Sequence, residues 1–390
     1  MKRVNKSLLF FAMLCFFFTG TLHAQLVENS QPAATNISKT SCPCILEDLS
    51  VVFKVKAPEA QKVQIDLGKL YDMTKDDQGV WSVTTNPQVP GFHYYSLVID
   101  GVKVVDPASD TFYGMGRDAS GIEIPEAGVN FHLLKNVPHG AISQKWYFSG
   151  KTNSWRRIFV YTPPGYDQSL KNKYPVLYLQ HGAGEDETGW VVQGKLDIIM
   201  DNLIAEEKAV PMIVVTTNMY TITDIGKGYN TPSTNHFMDL FKDELVDVII
   251  PFMEKNYRVY TDREQRAIAG LSMGGGTSFR IGMLNPDKFT WVGVFSSSAF
   301  RGANGNIFDA EGQIPGILTN PEKFNKQLSL LYISSGEQDH SFEYTKKTIE
   351  TFKEHGLNLE YNFFPGAHEW HVWRKALHDF VPRIFKQDKK

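Results

Sequence analysis

The sequence predicts an α/β fold, a mostly parallel sheet with helices on both faces, preceded by a small antiparallel β-sandwich. Two patterns predict it. Between residues 48 and 135, short alternating strands recur with turn signals between them, as in a sandwich. After about residue 140, near-continuous apolar runs alternate with amphipathic stretches, as strands covered on both faces alternate with helices. A length of 390 residues suits two domains better than one.

Residues 1–24 read as a signal peptide. Lys2, Arg3 and Lys6 precede an apolar run from Leu8 to Phe18, and Ala24 supplies a small residue before a cut at Gln25. That run is too short for the roughly 20 residues of a membrane-spanning helix. Leu14, bulky before Cys15, argues against a lipoprotein cut. The expectation is export, to the periplasm or beyond.

Residues 25–47, rich in Ser, Thr, Asn and Pro without periodicity, read as a linker. Cys42 and Cys44, separated only by Pro43, are expected in an unstructured leader, since a disulfide between positions so close is strained. Alternation then marks strands at Val51–Lys56, Lys62–Leu67, Val80–Thr84 and Phe92–Ile99, with Asp100-Gly101 turning into Val102–Val105. Over 140–386, Tyr174–Gln180, Pro211–Thr217, Arg266–Ala269, Trp291–Phe295 and Leu330–Ser334 read as buried strands, and Phe237–Tyr257 as an amphipathic helix.

A net charge of −3 with both signs mixed points away from nucleic acid held by counter-ion release. No second Cys or His pair stands near Cys42 and Cys44 at zinc spacing, so no metal is expected.

The chemistry sits at Gly270-Leu271-Ser272-Met273-Gly274-Gly275, directly after a predicted strand and before a predicted helix. A serine there stands on a sharp turn at the carboxyl edge of the sheet, the nucleophile elbow of the α/β-hydrolase fold. A hydroxyl needs a base, and the base an orienting carboxylate, in the chain order serine, acid, histidine. Of the downstream histidines, His368 follows the apolar strand Leu359–Phe364 in a loop, the position a base needs. His371 and His378 fall at helical spacing with Trp370, Trp373 and Leu377 and read as surface or packing residues; His340 and His355 have no such placement. The loop after Leu330–Ser334 offers Asp339 as the acid, with Glu337 as runner-up. The oxyanion donors are expected to be the amide of Met273 and that of Ala183, with Gly182 as the alternative to Ala183. His181, beside them, reads as structural.

Together His181-Gly182-Ala183-Gly184 with Trp190, the Gly270–Gly275 elbow, the Ser335–Asp339 loop and Gly366-Ala367-His368-Glu369-Trp370 resemble carbohydrate esterase family 1. Arg157 and the Val160–Tyr166 segment are similar to that family's entry strand. The family includes feruloyl and acetylxylan esterases and is related to esterase D and enterochelin esterases. The upstream sandwich resembles a family 48 carbohydrate-binding module, an immunoglobulin-like domain, through Phe53–Pro58, Gly79-Val80-Trp81, Tyr94-Tyr95 and Asp106-Pro107. Trp81 is expected in its core.

The resemblance implies a serine esterase without cofactor, acting on hydroxycinnamoyl esters of plant cell-wall polysaccharide. Trp190 and Trp370 lie close in sequence to the active-site loops, where they either flank an aromatic acyl group or pack the loops. The alternatives are acetyl groups on xylan, an iron-chelator trilactone, or a glycan-binding protein whose hydrolase domain is inactive.

Overall fold

The computed structural model describes residues 30–37, 40–221, 234–300 and 308–386. The signal segment expected at 1–24 lies outside the described residues. The N-terminal region is built from strands β1 (Ser30–Pro32), β2 (Cys44–Leu46), β3 (Val51–Lys56), β4 (Val63–Leu67), β5 (Lys69–Asp72), β6 (Thr74–Lys75), β7 (Val80–Thr84), β8 (Gly91–Ile99), β9 (Val102–Val104), β10 (Thr111–Gly114) and β11 (Arg117–Ile124). They form two antiparallel sheets, ordered β1-β2-β3-β7-β6 and β10-β11-β8-β4-β5, with β9 also paired to β8. Val51, Phe53 and Trp81 from one sheet meet Val63, Ile65, Tyr95, Leu97 and Ile122 from the other. Trp81 belongs to this core and donates its indole N–H to the Ala57 carbonyl at 2.9 Å.

The linker expected over 25–47 is corrected where the chain is described. Pro32 pairs with Cys44 and Cys44 with Val52, extending the first sheet by two strands. Cys42 and Cys44 are buried free thiols, their sulfurs 3.5 Å apart, packed against Val52. The polar composition hid three buried small residues, Ala33, Cys42 and Cys44, which suffice to seat a short edge.

The second region carries one eight-stranded sheet. Its strands are β12 (Ala141–Ser149), β13 (Ser154–Thr162), β14 (Val176–Gln180), β15 (Ile213–Thr217), β16 (Arg266–Leu271), β17 (Trp291–Phe295), β18 (Leu330–Gly336) and β19 (Glu360–Phe364), in the order β12-β13-β15-β14-β16-β17-β18-β19. The pairs β12–β13 and β13–β15 are antiparallel, and the rest are parallel. Side chains alternate faces along a strand. Val176 and Tyr178 therefore enter one core with Phe241, Phe279 and Phe352, while Leu177 and Leu179 enter another with Leu203, Trp373 and Phe380. The principal helices are α1 (Leu196–Ala205), α2 (Thr234–Glu244), α3 (Met273–Leu284), α4 (Phe342–Glu354) and α5 (Trp370–Phe380). The helix expected over Phe237–Tyr257 is interrupted by a wide turn at Leu245–Ile249 before resuming at Ile250–Asn256. Pro251 explains the break, because its ring removes the N–H that would bond back to Asp247.

The two regions pack through apolar and charged contacts. Phe92 of β8 and Phe112 of β10 lie in the same core as Trp370, Trp373 and Leu377 of α5. Arg374 of α5 grips both carboxylate oxygens of Glu123 at 2.8 and 3.0 Å, and its Nε donates to the Gln193 carbonyl at 2.8 Å. Lys375 adds a 2.8 Å pair with Glu126.

Candidate active site

Ser272 is the hinge between β16, buried along its length, and α3. Its backbone sits at φ 52°, ψ −117°, a region an L-residue occupies at a cost of about 1–3 kcal/mol. The surroundings hold it there. Its N–H donates to the Phe295 carbonyl at 2.8 Å, and its carbonyl accepts from Gly276 at 3.1 Å. The flanking glycines allow the close approach: a Cβ on Gly270 would lie 2.6 Å from the Gly274 carbonyl, and one on Gly274 2.3 Å from that of His181.

The three residues expected to act together are brought together. His368 Nε2 lies 2.9 Å from Ser272 Oγ, and His368 Nδ1 lies 2.7 Å from Asp339 Oδ2. An ionised carboxylate only accepts, so Nδ1 carries the proton and Nε2 presents its lone pair to the serine hydroxyl. Asp339 stands just past β18, almost fully buried, and its Oδ1 accepts from the N–H and hydroxyl of Ser341, each at 2.8 Å. Burial pushes its carboxyl up, but the bonds from His368 and Ser341 outweigh that and hold it down at about 2. Glu337, the runner-up, is exposed. His340 stands beside the acid, Nδ1 3.4 Å from Asp339 Oδ1, with its ring 4.7 Å from that of His368.

The loop after β14 brings Gly182 and Ala183 to the cleft that holds Ser272, and a Cβ on Gly182 would lie 3.4 Å from that of Ser272. Met273 opens α3, with its amide at the positive end of the helix. His181 fixes this loop from behind. Burial pushes its imidazole down to about 4, so it is neutral: Nδ1–H donates to the Gly182 carbonyl at 2.8 Å while Nε2 accepts the Met219 amide at 3.0 Å.

The cleft over Ser272 and His368 has a volume of about 550 Å³ and two walls. Trp370, Trp373 and Glu185 come from the second region, and Phe92, Tyr94, Lys103, Met115 and Arg117 from the sandwich. Trp370 borders the cleft, but its ring is itself almost wholly buried and its indole N–H is taken up by Glu185 and Tyr94. Trp190 does not border it: it is fully buried, donates to the Gln180 carbonyl at 2.9 Å and meets Trp370 edge-on at 5.3 Å. The expectation that Trp190 flanks a ligand is corrected, because its short helix turns the indole inward beneath the sheet edge. Sequence reasoning missed the sandwich wall, His340 and Glu185. His340 adjoins Asp339 and Glu185 follows Ala183 by two residues, but no sequence pattern tells either from an ordinary loop residue, and the sandwich wall reaches the site only through tertiary packing.

A cleft with serine, histidine and aspartate in series, bordered by Gly182 and Ala183, is arranged to attack a carbonyl. The Esterase family model matches residues 149–384. An endo-1,4-beta-xylanase/feruloyl esterase of Xylanibacter ruminicola is 35% identical over 92% of this chain and 48% of its own. Endo-1,4-beta-xylanase Y of Acetivibrio thermocellus is 26% identical over 74% of this chain and 27% of its own. The chain thus spans about half the length of the first relative and less of the second. Among solved structures, a CE1 ferulic acid esterase from Anaeromyces mucronatus in complex with ferulic acid aligns with TM-score 0.57 and 26% identity, over 65% of this chain and 93% of its own. The enterobactin esterase of Shigella flexneri shares the fold at TM-score 0.63 over 85% of this chain and 92% of its own, with 14% identity.

Proposed function

The chain belongs to the Esterase family, and on that premise we infer that it hydrolyses feruloyl (hydroxycinnamoyl) esters on plant cell-wall polysaccharide such as arabinoxylan. The observation that carries the reading is the unbroken series from Ser272 Oγ through His368 to Asp339, at 2.9 and 2.7 Å, opening on an aromatic-walled cleft. Ser272 attacks the ester carbonyl while His368 Nε2 takes its proton, and Asp339 stabilises the imidazolium. The amides of Met273 and Ala183 hold the oxyanion. His368 then returns the proton to the leaving sugar hydroxyl, and water, activated the same way, releases the acid from the acyl-enzyme. Trp370 and Trp373 border the cleft that would receive a flat aromatic acyl group.

In this reading residues 140–386 carry the chemistry. The sandwich over 48–135, similar to a family 48 carbohydrate-binding module, faces the sugar, and residues 1–24 direct export to where polysaccharide is met. The feruloyl esterases among the chain's relatives and structural neighbours support the choice of acyl group.

The test is hydrolysis of methyl ferulate, acetylated xylan and 4-nitrophenyl acetate by the mature chain, with Ser272→Ala as control. Methyl ferulate should be cleaved, with the variant slower by several orders of magnitude. Cleavage of acetyl esters alone would move the acyl assignment to acetylxylan. A wild type inert towards every ester, or a variant equal to it, would leave the glycan-binding reading.

A further inference from the structure

Glu185 stands two residues past Ala183, its side chain buried where the two regions meet. Its Oε1 accepts the indole N–H of Trp370 at 3.0 Å and the phenol of Tyr94 at 3.1 Å. Trp370 follows His368 by two residues, and Tyr94 belongs to β8 of the sandwich. The Tyr94 oxygen also accepts from Gln193 Nε2 at 2.7 Å and from Trp370 Nε1 at 3.1 Å. One carboxyl therefore joins three segments: the loop of the oxyanion donor, the segment of the catalytic base, and the sandwich wall.

The other oxygen, Oε2, is buried without a hydrogen-bond partner in the protein and faces Gly189, where an added Cβ would come within 2.8 Å. Among the described residues no Lys or Arg pairs with the carboxyl. An ionised carboxylate in such a place is costly, and it would put negative charge beside the loop that must receive the oxyanion.

We propose that Glu185 is a positioning residue for the hydrolysis assigned to Ser272, acting as an uncharged acid that holds the Ala183 loop and the His368 segment in register. This rests on the reading of Ser272, His368 and Asp339 given above. Burial pushes the carboxyl up to about 8, and the bonds from Tyr94 and Trp370 offset only part of that.

The other charged groups on the packed elements do not reverse it: of the sandwich cations that line the same cleft, Lys103 is paired with Asp66 at 2.6 Å and Arg117 donates to the Ser96 hydroxyl at 2.9 Å. On its own loop, Asp186 opposes ionisation, and both Asp186 and Glu187 are drawn towards Arg157. On the segment of Trp370, Arg374 is held by Glu123, and burial pushes His371 down, towards its neutral form. His368 and Glu369 complete that segment. On β8, burial pushes the Tyr94 phenol up, so it remains a donor, and His93 is bonded to the Val89 carbonyl at 2.6 Å.

The test compares kcat and KM for methyl ferulate and 4-nitrophenyl acetate from pH 6 to 10 in the wild type, Glu185→Gln, Glu185→Ala and Tyr94→Phe. Wild-type kcat should fall above about pH 8. Glu185→Gln keeps the acceptor and cannot ionise, so it should stay within about 3-fold of wild type at pH 7 and lose that alkaline fall. Glu185→Ala should lose about 10²-fold in kcat with little change in KM, the scale of a small misplacement of reacting groups. A Glu185→Gln profile that declines in parallel with wild type overturns the role of the uncharged acid. A folded Glu185→Ala protein with wild-type kcat overturns the positioning role. If Glu185→Ala does not fold, Tyr94→Phe decides, since it removes one tie and should lower kcat rather than raise KM. A wild type that cleaves no ester overturns the Ser272 reading and this one together. Activity that depends on Ser272 but ignores Glu185 overturns this one alone.

Discussion

The amide of Gly116, at the tip of the sandwich hairpin between β10 and β11, donates a 2.7 Å hydrogen bond to the carbonyl of Gly184, one residue past Ala183. The Gly184 amide in turn donates to the Tyr220 hydroxyl at 2.9 Å. The loop of Ala183 is therefore clamped on one side by the sandwich and on the other by the segment that follows β15. Gly184 has φ +77°, and a Cβ there would lie 3.0 Å from the Gly116 nitrogen and the Met115 Cα. Gly184→Ala should push the hairpin away and lower kcat by about 10- to 100-fold, with a smaller effect on KM. Steady-state kinetics on 4-nitrophenyl acetate checks this, and an unchanged kcat would mean the clamp is idle.

Asp339→Asn should leave the fold intact and lower kcat by about 10⁴-fold. An amide facing His368 Nδ1 favours the tautomer whose Nε2 carries the proton, leaving no base for Ser272. The measurement is kcat at pH 7 beside a thermal melt. A loss under tenfold would point to another acid, and Glu337→Gln is the comparison.

Glu185 also sets a pH dependence of stability. Its folded-state pKa is raised by burial to about 8 from an ordinary 4.5. Between those values the folded chain holds a proton that the unfolded chain has released, so stability falls as pH rises. The group's contribution is fully present below pH 4.5 and is lost as pH climbs through about 8, at roughly 1.4 kcal/mol per pH unit in the interval. Melting curves of wild type and Glu185→Gln from pH 5 to 8 should therefore diverge, the wild type declining more steeply. Parallel curves would contradict the buried acid.

Arg374 is nearly inaccessible and spans the boundary between the two regions to reach Glu123. Arg374→Met leaves the Glu123 carboxylate buried without its cation, which should destabilise the chain by about 3–5 kcal/mol. Adding Glu123→Gln should recover much of that loss. Calorimetric melting of Arg374→Met, Glu123→Gln and the double variant tests the pair, and additive effects would show that the two residues act independently.

The parallel sheet was legible because its strands are buried on both faces, and Trp291–Phe295 falls where the apolar run placed it. Ser272 and Asp339 were legible because each follows such a strand, whereas His368 follows the partly exposed edge strand β19 and was legible from chain order and its loop after that strand. Trp190 was misread because closeness in sequence to an active-site loop does not fix which side of the loop an indole takes. The strands β1 and β2 were hidden by polar composition. The hairpin of β10 and β11 was missed because β10 is short, the first part of β11 (Arg117-Asp118-Ala119-Ser120-Gly121) carries little apolar alternation, and its partner Gly184 lies far along the chain. Glu185 looked like any loop acid. Only packing against Trp370 and Tyr94 sets it apart.

The backbone of Ser272 has a consequence for how such a chain drifts. Its φ of 52° with ψ −117° is a conformation glycine enters freely and serine does not. Ser272→Gly should therefore fold at least as well as the native chain, and could melt higher, while hydrolysing nothing. Selection for a stable fold alone would remove the serine at the first opportunity. On this account a lineage under no demand for the proposed hydrolysis would lose the hydroxyl before its architecture.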